Sequence, residues 1–101
     1  MFEAEGVRAG LLVQRANTYY PLHAHEAEET YVMLAGEGIW RRGAERPARR
    51  RPGDVIFHPS KIPHATRTGA RPLFAAWRWS GDIGLESYRL VPDNALQESS
   101  E

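Results

Sequence analysis

His23-Ala24-His25-Glu26-Ala27-Glu28-Glu29 is the stretch on which the reading of this 101-residue chain turns. Two histidines at i and i+2 on an extended segment point to one face, because strand side chains alternate with a period of two. A carboxylate, Glu29, follows on the next strand, and His64 supplies a fourth candidate donor. Neutral imidazoles with a carboxylate suit a first-row divalent metal such as zinc, iron, manganese or nickel. Four protein donors leave room on such a metal for water or substrate. The chain has no cysteine, so thiolate ligands and disulfides are excluded and any metal must sit on nitrogen and oxygen.

Length and composition predict one domain over 1–101, with its core across about 7–91 and a polar tail over 92–101. The formal charge is zero, which argues against a protein built to hold a long polyanion. Arg41-Arg42 and Arg49-Arg50-Arg51 flank Gly43-Ala44-Glu45-Arg46-Pro47, the composition of a solvated hairpin. Only Trp40 lies near them as a stacking aromatic, so no nucleic-acid surface is expected. No segment has the apolar length of a membrane helix, and Met1-Phe2-Glu3-Ala4-Glu5 lacks the features of a signal peptide. The expected address is the cytoplasm.

Turn residues recur at short intervals: Asn17-Thr18, Pro21, Gly36-Glu37-Gly38, Gly43, Pro47, Pro52-Gly53-Asp54, Pro59, Pro63, Gly69, Pro72 and Gly81. Between them lie runs rich in β-branched and aromatic residues, predicting strands over 7–14, 19–25, 30–34, 38–42, 55–58, 64–67, 73–79 and 88–91. Short strands at this spacing predict an all-β antiparallel sandwich or small barrel. Alternation puts Tyr19, Pro21, His23 and His25 on one side, unless a bulge at Pro21 resets the phase. Glu29, Tyr31 and Met33 share a face, as do Leu73, Ala75, Trp77 and Trp79. If the ligands point into a barrel, Met33, Trp77 and Trp79 are candidates to wall the pocket. Two ligands on one strand and a third at the start of the next read as a single hairpin. His64 then arrives from another strand pair, so that a metal would tie two sheets together. His58, which precedes Pro59 at a strand end, is expected to be a locally satisfied structural histidine, or to line a pocket mouth.

His23-x-His25-x3-Glu29-x6-Gly36 resembles the first motif of the cupins, and Gly53-x5-Pro59 followed by His64 resembles the second. Lys61 stands at a usual glycine position and Thr68 where asparagine is frequent. The resemblance implies a double-stranded β-helix of jelly-roll type, with His23, His25, Glu29 and His64 as metal ligands.

A narrower likeness runs through Tyr20-Pro21-Leu22-His23-Ala24-His25, Glu28-Glu29-Thr30-Tyr31, Pro63-His64-Ala65-Thr66-Arg67-Thr68-Gly69 and Trp77-Arg78-Trp79-Ser80-Gly81-Asp82. These segments resemble the cupin-type dimethylsulfoniopropionate lyases, which cleave the zwitterion to dimethyl sulfide and acrylate. The resemblance implies β-elimination on a metal-bound carboxylate, with Tyr31 as the first candidate base, Tyr20 as the second, and Trp77 and Trp79 facing the sulfonium. Other cupins are oxygenases, isomerases or non-catalytic binding domains, so the fold alone does not fix the reaction. The apolar stretch from Val7 to Val13 reads as a sheet edge that a homodimer would cover.

Overall fold

The computed structural model of the chain describes residues 1–92, and the polar tail falls outside them from 93 onward. Its strands are β1 (Phe2–Ala4), β2 (Val7–Gln14), β3 (Tyr19–Ala24), β4 (Glu28–Ala35), β5 (Gly38–Arg42), β6 (Ala48–Arg50), β7 (Val55–His58), β8 (His64–Arg67), β9 (Leu73–Ser80) and β10 (Arg89–Leu90). The predicted strands recur within a residue or two at most ends. Sequence reasoning missed β1 and β6, whose three residues each are too short to show an alternation.

The strands form two antiparallel five-stranded sheets, ordered β1-β2-β9-β4-β7 and β10-β3-β8-β5-β6. Successive strands mostly change sheet, and this corrects two expectations. β3 and β4 are not a hairpin: the turn after His25 carries the chain from one sheet to the other, so Glu29 faces the histidines across the barrel. His64 instead pairs directly with His23 on the neighbouring strand. Nor is β2 an edge, since it lies between β1 and β9. The Arg-flanked segment does form a hairpin, with β5 and β6 paired through Gly38↔Arg50 and Trp40↔Ala48.

A register shift between Tyr20 and His23 marks the bulge at Pro21. It resets the phase, so Tyr20 sits opposite buried Thr66 and shares the inner side with His23. Tyr19 turns outward instead, under the guanidinium of Arg67 at 4.5 Å. Along β4, Glu29, Tyr31 and Met33 all point inward and are buried, leading from polar to apolar interior. At the apolar end Tyr31, Met33, Trp40, Ile56, Leu73 and Ala75 form one cluster, with Leu12 and Trp77 packed against it. A fully buried Leu or Met in such a cluster stabilises by about 1.5–3 kcal/mol.

Two turn positions carry left-handed backbone for different reasons. Gly36 has φ 76°, and a Cβ there would overlap the Pro72 carbonyl, so only glycine fits. Lys61, at the position where cupins usually place glycine, also adopts a left-handed φ of 68°. That turn brings its N–H to the His25 carbonyl at 2.8 Å, tying the loop before β8 to the end of β3. An L-residue in this region carries roughly 1–2 kcal/mol of strain. In thermal melts, Gly36→Ala should therefore cost on the order of 2–4 kcal/mol. Lys61→Gly should not destabilise, because relief of strain offsets the added freedom of the unfolded chain, roughly 0.5–1 kcal/mol.

Candidate metal centre

His23, His25, Glu29 and His64 converge at the polar end of the barrel, all four buried, each offering a donor atom within 4.8 Å of the others. β3 and the residue after it supply two histidines, β8 the third, and β4 the carboxylate from the opposite sheet.

Backbone carbonyls set the orientation of each ring. His23 Nδ1 donates to Pro21 O at 2.7 Å, His25 Nδ1 to Ala27 O at 3.0 Å, and His64 Nδ1 to Ile62 O at 3.0 Å. A carbonyl only accepts, so each Nδ1 carries a proton and each ring turns Nε2 toward the centre, the atom whose lone pair a neutral imidazole offers a metal. Glu29 is held likewise: Trp79 Nε1 donates to its Oε2 at 2.7 Å. Its Oε1 then lies 3.2 Å from His25 Nε2 and 3.1 Å from His64 Nε2. Three acceptors this close repel unless a positive charge lies among them. Without metal, a ring protonated on both nitrogens can meet the carboxylate; a divalent cation satisfies every lone pair at once. The donor set thus fits a metal, and the fixed Nδ1 partners are the outer-shell contacts such sites use.

The titration of these groups follows from burial and from each other. Burial alone would raise the carboxyl of Glu29, but the imidazoles of His25 and His64 beside it and the hydrogen bond from Trp79 outweigh burial and hold it down at about 2. His23 is lowered to about 4 by burial, with His64 adding to the effect. Tyr31 is raised well above the ordinary phenol by burial and by the charge of Glu29. Tyr20 is raised too, by burial and by its hydrogen bond with Tyr88.

The other candidate residues separate. Tyr20 stacks on His23 at 4.2 Å between centroids, at the rim of the site. Tyr31 is buried one inward position beyond Glu29, beside Trp40 at 4.6 Å. Trp79 borders the donors, its ring 4.2 Å from that of His25. Trp77 lies 5.9 Å from Trp79 and packs, like Met33, with the apolar cluster.

His58 differs from its expectation. Rather than being satisfied locally or lining a mouth, it is fully buried, and neither ring nitrogen has a hydrogen-bond partner. It stacks on His64 at 4.0 Å across the two sheets, and its own strand pairs it with Glu29. Burial, helped by His64, lowers it to about 2, so it is neutral. Sequence reasoning also missed Tyr88, whose ring stacks 5.4 Å from His23 and whose hydroxyl meets that of Tyr20 at 3.1 Å. Their separation of 68 residues follows no spacing rule, and only the pairing of β10 with β3 brings them together. The segment leading to Tyr88 is tied down by Ser87 Oγ, which accepts from the Glu26 N–H at 2.8 Å.

Comparison with known proteins decides the family. The model of the dimethylsulfoniopropionate lyase family matches residues 1–75. The chain belongs to that family. It is 45% identical over 95 residues to the dimethylsulfoniopropionate lyase DddQ of Ruegeria pomeroyi, covering 94% of this chain and 47% of that protein. A crystal structure of DddQ from Ruegeria pomeroyi superposes with a TM-score of 0.82 at 42% identity, over 87% of this chain and 44% of the other. A double-stranded β-helix protein from Klebsiella pneumoniae, 17% identical, superposes with a TM-score of 0.75 over 91% of this chain and 80% of its own, showing the shared fold. The fold is therefore the cupin double-stranded β-helix. The chain spans about half the length of the DddQ lyase it matches. Among the described residues no helix is long and apolar enough to cross a membrane.

In elemental analysis His23→Ala, His25→Ala or His64→Ala should each reduce bound metal to less than half of the unaltered chain, while His58→Ala retains it. Chelation should lower the melting temperature, because it returns converging lone pairs to a buried site. The chelated chain should also lose stability as pH falls below about 6.5. There the unfolded chain protonates histidines that the folded chain keeps neutral, His58 at about 2 and His23 at about 4, with Glu29 joining below about 4.5. Replacing His58 by Phe should make the fall in urea-unfolding free energy between pH 6.5 and 4 shallower, by up to about 1.4 kcal/mol per pH unit.

Proposed function

We propose that the chain is a metal-dependent carbon–sulfur lyase acting on dimethylsulfoniopropionate or a closely related small carboxylate. A complete set of three imidazoles and one carboxylate, in a chain of this family, carries the reading. A divalent cation held by His23, His25, Glu29 and His64, with zinc, iron, manganese and nickel as candidates, would supply Lewis acidity to a bound carboxylate and so acidify the adjacent carbon.

Tyr31 is the proposed base. Its oxygen takes the proton from the carbon next to the carboxylate; that electron pair forms the carbon–carbon double bond, the carbon–sulfur bond breaks, and dimethyl sulfide leaves with acrylate as co-product. Burial and Glu29 raise the Tyr31 hydroxyl, so its phenolate is a strong base that needs nearby positive charge to form. Tyr20, stacked on His23 at the rim, is the second candidate. Trp79 presents an aromatic surface beside the donors for the sulfonium, a contact worth about 0.5–2 kcal/mol. Met33 and Trp77, one layer away, would shape the pocket through packing. The proposed setting is the cytoplasm.

Metal-loaded protein incubated with dimethylsulfoniopropionate should release dimethyl sulfide into the headspace. Tyr31→Phe should lower the rate by about 100-fold or more while keeping its metal. Gas release no greater than from that variant would overturn the lyase reading. A rate loss in Tyr20→Phe but not in Tyr31→Phe would move the base to Tyr20.

A further inference from the structure

Besides one another, the three histidines that converge with Glu29 each have an outer aromatic ring packed against them. Tyr20 lies on His23 at 4.2 Å and 11°, Trp79 beside His25 at 4.2 Å and 31°, and His58 on His64 at 4.0 Å and 13°. At that separation and nearly parallel, the faces of His58 and His64 are in van der Waals contact. Two of the three outer rings also have their polar atoms engaged: the Tyr20 hydroxyl meets that of Tyr88, and Trp79 Nε1 donates to Glu29. His58 differs, because neither of its nitrogens has a hydrogen-bond partner among the described residues although the side chain is fully buried. A buried polar group left unpaired costs its full desolvation, so a leucine of similar volume would be the more stabilising residue here. What histidine offers instead is the shape of its ring.

We propose that His58 is a positioning residue that clamps the ring of His64 and so fixes the Nε2 of that ring against Glu29. The bond from His64 Nδ1 to Ile62 O holds one edge of the ring, but a single edge bond leaves the ring free to rock about that contact. A flat face laid on it removes the rocking. Donors of a working site must be held within about 0.5 Å and 10–20° by side chains that are themselves locked by packing. His58 is locked in this way, with Tyr31 edge-on at 5.7 Å and 72° and Trp40 at 6.0 Å.

Strand register gives the clamp a second hold. β7 pairs with β4 so that His58 sits directly opposite Glu29, while the face of its ring touches His64 on the other sheet. One side chain thus connects the strand of the carboxylate to the ring whose Nε2 lies 3.1 Å from Glu29 Oε1. It sets how closely the two sheets bring these donors together. Histidine is the one natural side chain whose aromatic ring is a lone five-membered ring, so the clamp has the outline of the ring it holds, and its two nitrogens come with that shape. A phenyl ring is larger and would press further toward Tyr31 and Trp40. The inference rests on the four donors being a metal centre and does not need the lyase reaction.

Cobalt(II) loaded into the chain reports donor geometry through its visible d–d bands. His58→Leu, which keeps the volume but not the flat face, should shift those bands and weaken cobalt binding about tenfold in competition with a chelator, while saturating metal still fills the site. The chelated His58→Leu chain should melt no lower than the unaltered chelated chain, because leucine removes two unpaired nitrogens. His58→Phe, which keeps a flat face, should lie nearer the unaltered chain in both band position and affinity. If leucine alters the circular dichroism, His58→Met, also of similar volume and without a flat face, takes its place. Bands and affinity unchanged in both His58→Leu and His58→Met would overturn the proposal, as would a phenylalanine variant further from the unaltered chain than the leucine one. A cobalt-loaded series that shows the expected differences, in a chain whose metal-loaded form releases no dimethyl sulfide, supports the clamp and overturns the lyase reading alone.

Discussion

Four lone-pair donors pointing at one another inside a barrel are the constraint on which this structure turns. Three rings are each pinned by an Nδ1–H to a backbone carbonyl, and a carboxylate is pinned by an indole N–H, so none can swing away from the others. Their mutual repulsion is removed by positive charge alone. Because Glu29 comes from one sheet and the histidines from the other, a cation held among them would also join the two halves of the fold.

The same strands divide the interior by function. One step along β4 leads from Glu29 at the centre to Tyr31, and the next to Met33 in the apolar cluster. The apolar end holds the sheets together and fixes the strand directions; the polar end uses that rigidity to hold its donors. His58 joins the two regimes, an imidazole kept neutral by burial and stacked on His64 from the opposite sheet. Tyr20 and Tyr88 close the other side through their paired hydroxyls, over the ring of His23.

Backbone strain follows the same economy. Gly36 is where the chain leaves one sheet for the other against the Pro72 carbonyl, and no side chain fits there. Lys61 adopts the same left-handed conformation without glycine's freedom, and its N–H holds the backbone of His25, one of the four candidate donors. The glycine of the first motif and the lysine at a glycine position of the second thus meet the same backbone demand at different costs.

The sequence by itself determined the strands and the donors. His23, His25, Glu29 and His64 were legible because ligand spacing on extended chain is local, and the β-rich runs were legible because alternation and turn residues are local too. Tertiary structure decided what local pattern cannot carry. It placed Glu29 across the barrel rather than in a hairpin, because the turn after His25 changes sheets. It put His58 against His64, Trp79 on Glu29 and Tyr88 over His23, contacts between residues distant in sequence. It turned Val7–Gln14 from an edge into an interior strand with an exposed face. Alternation tells which side chains share a face, but which face closes on a core and which stays exposed depends on how the sheets stack.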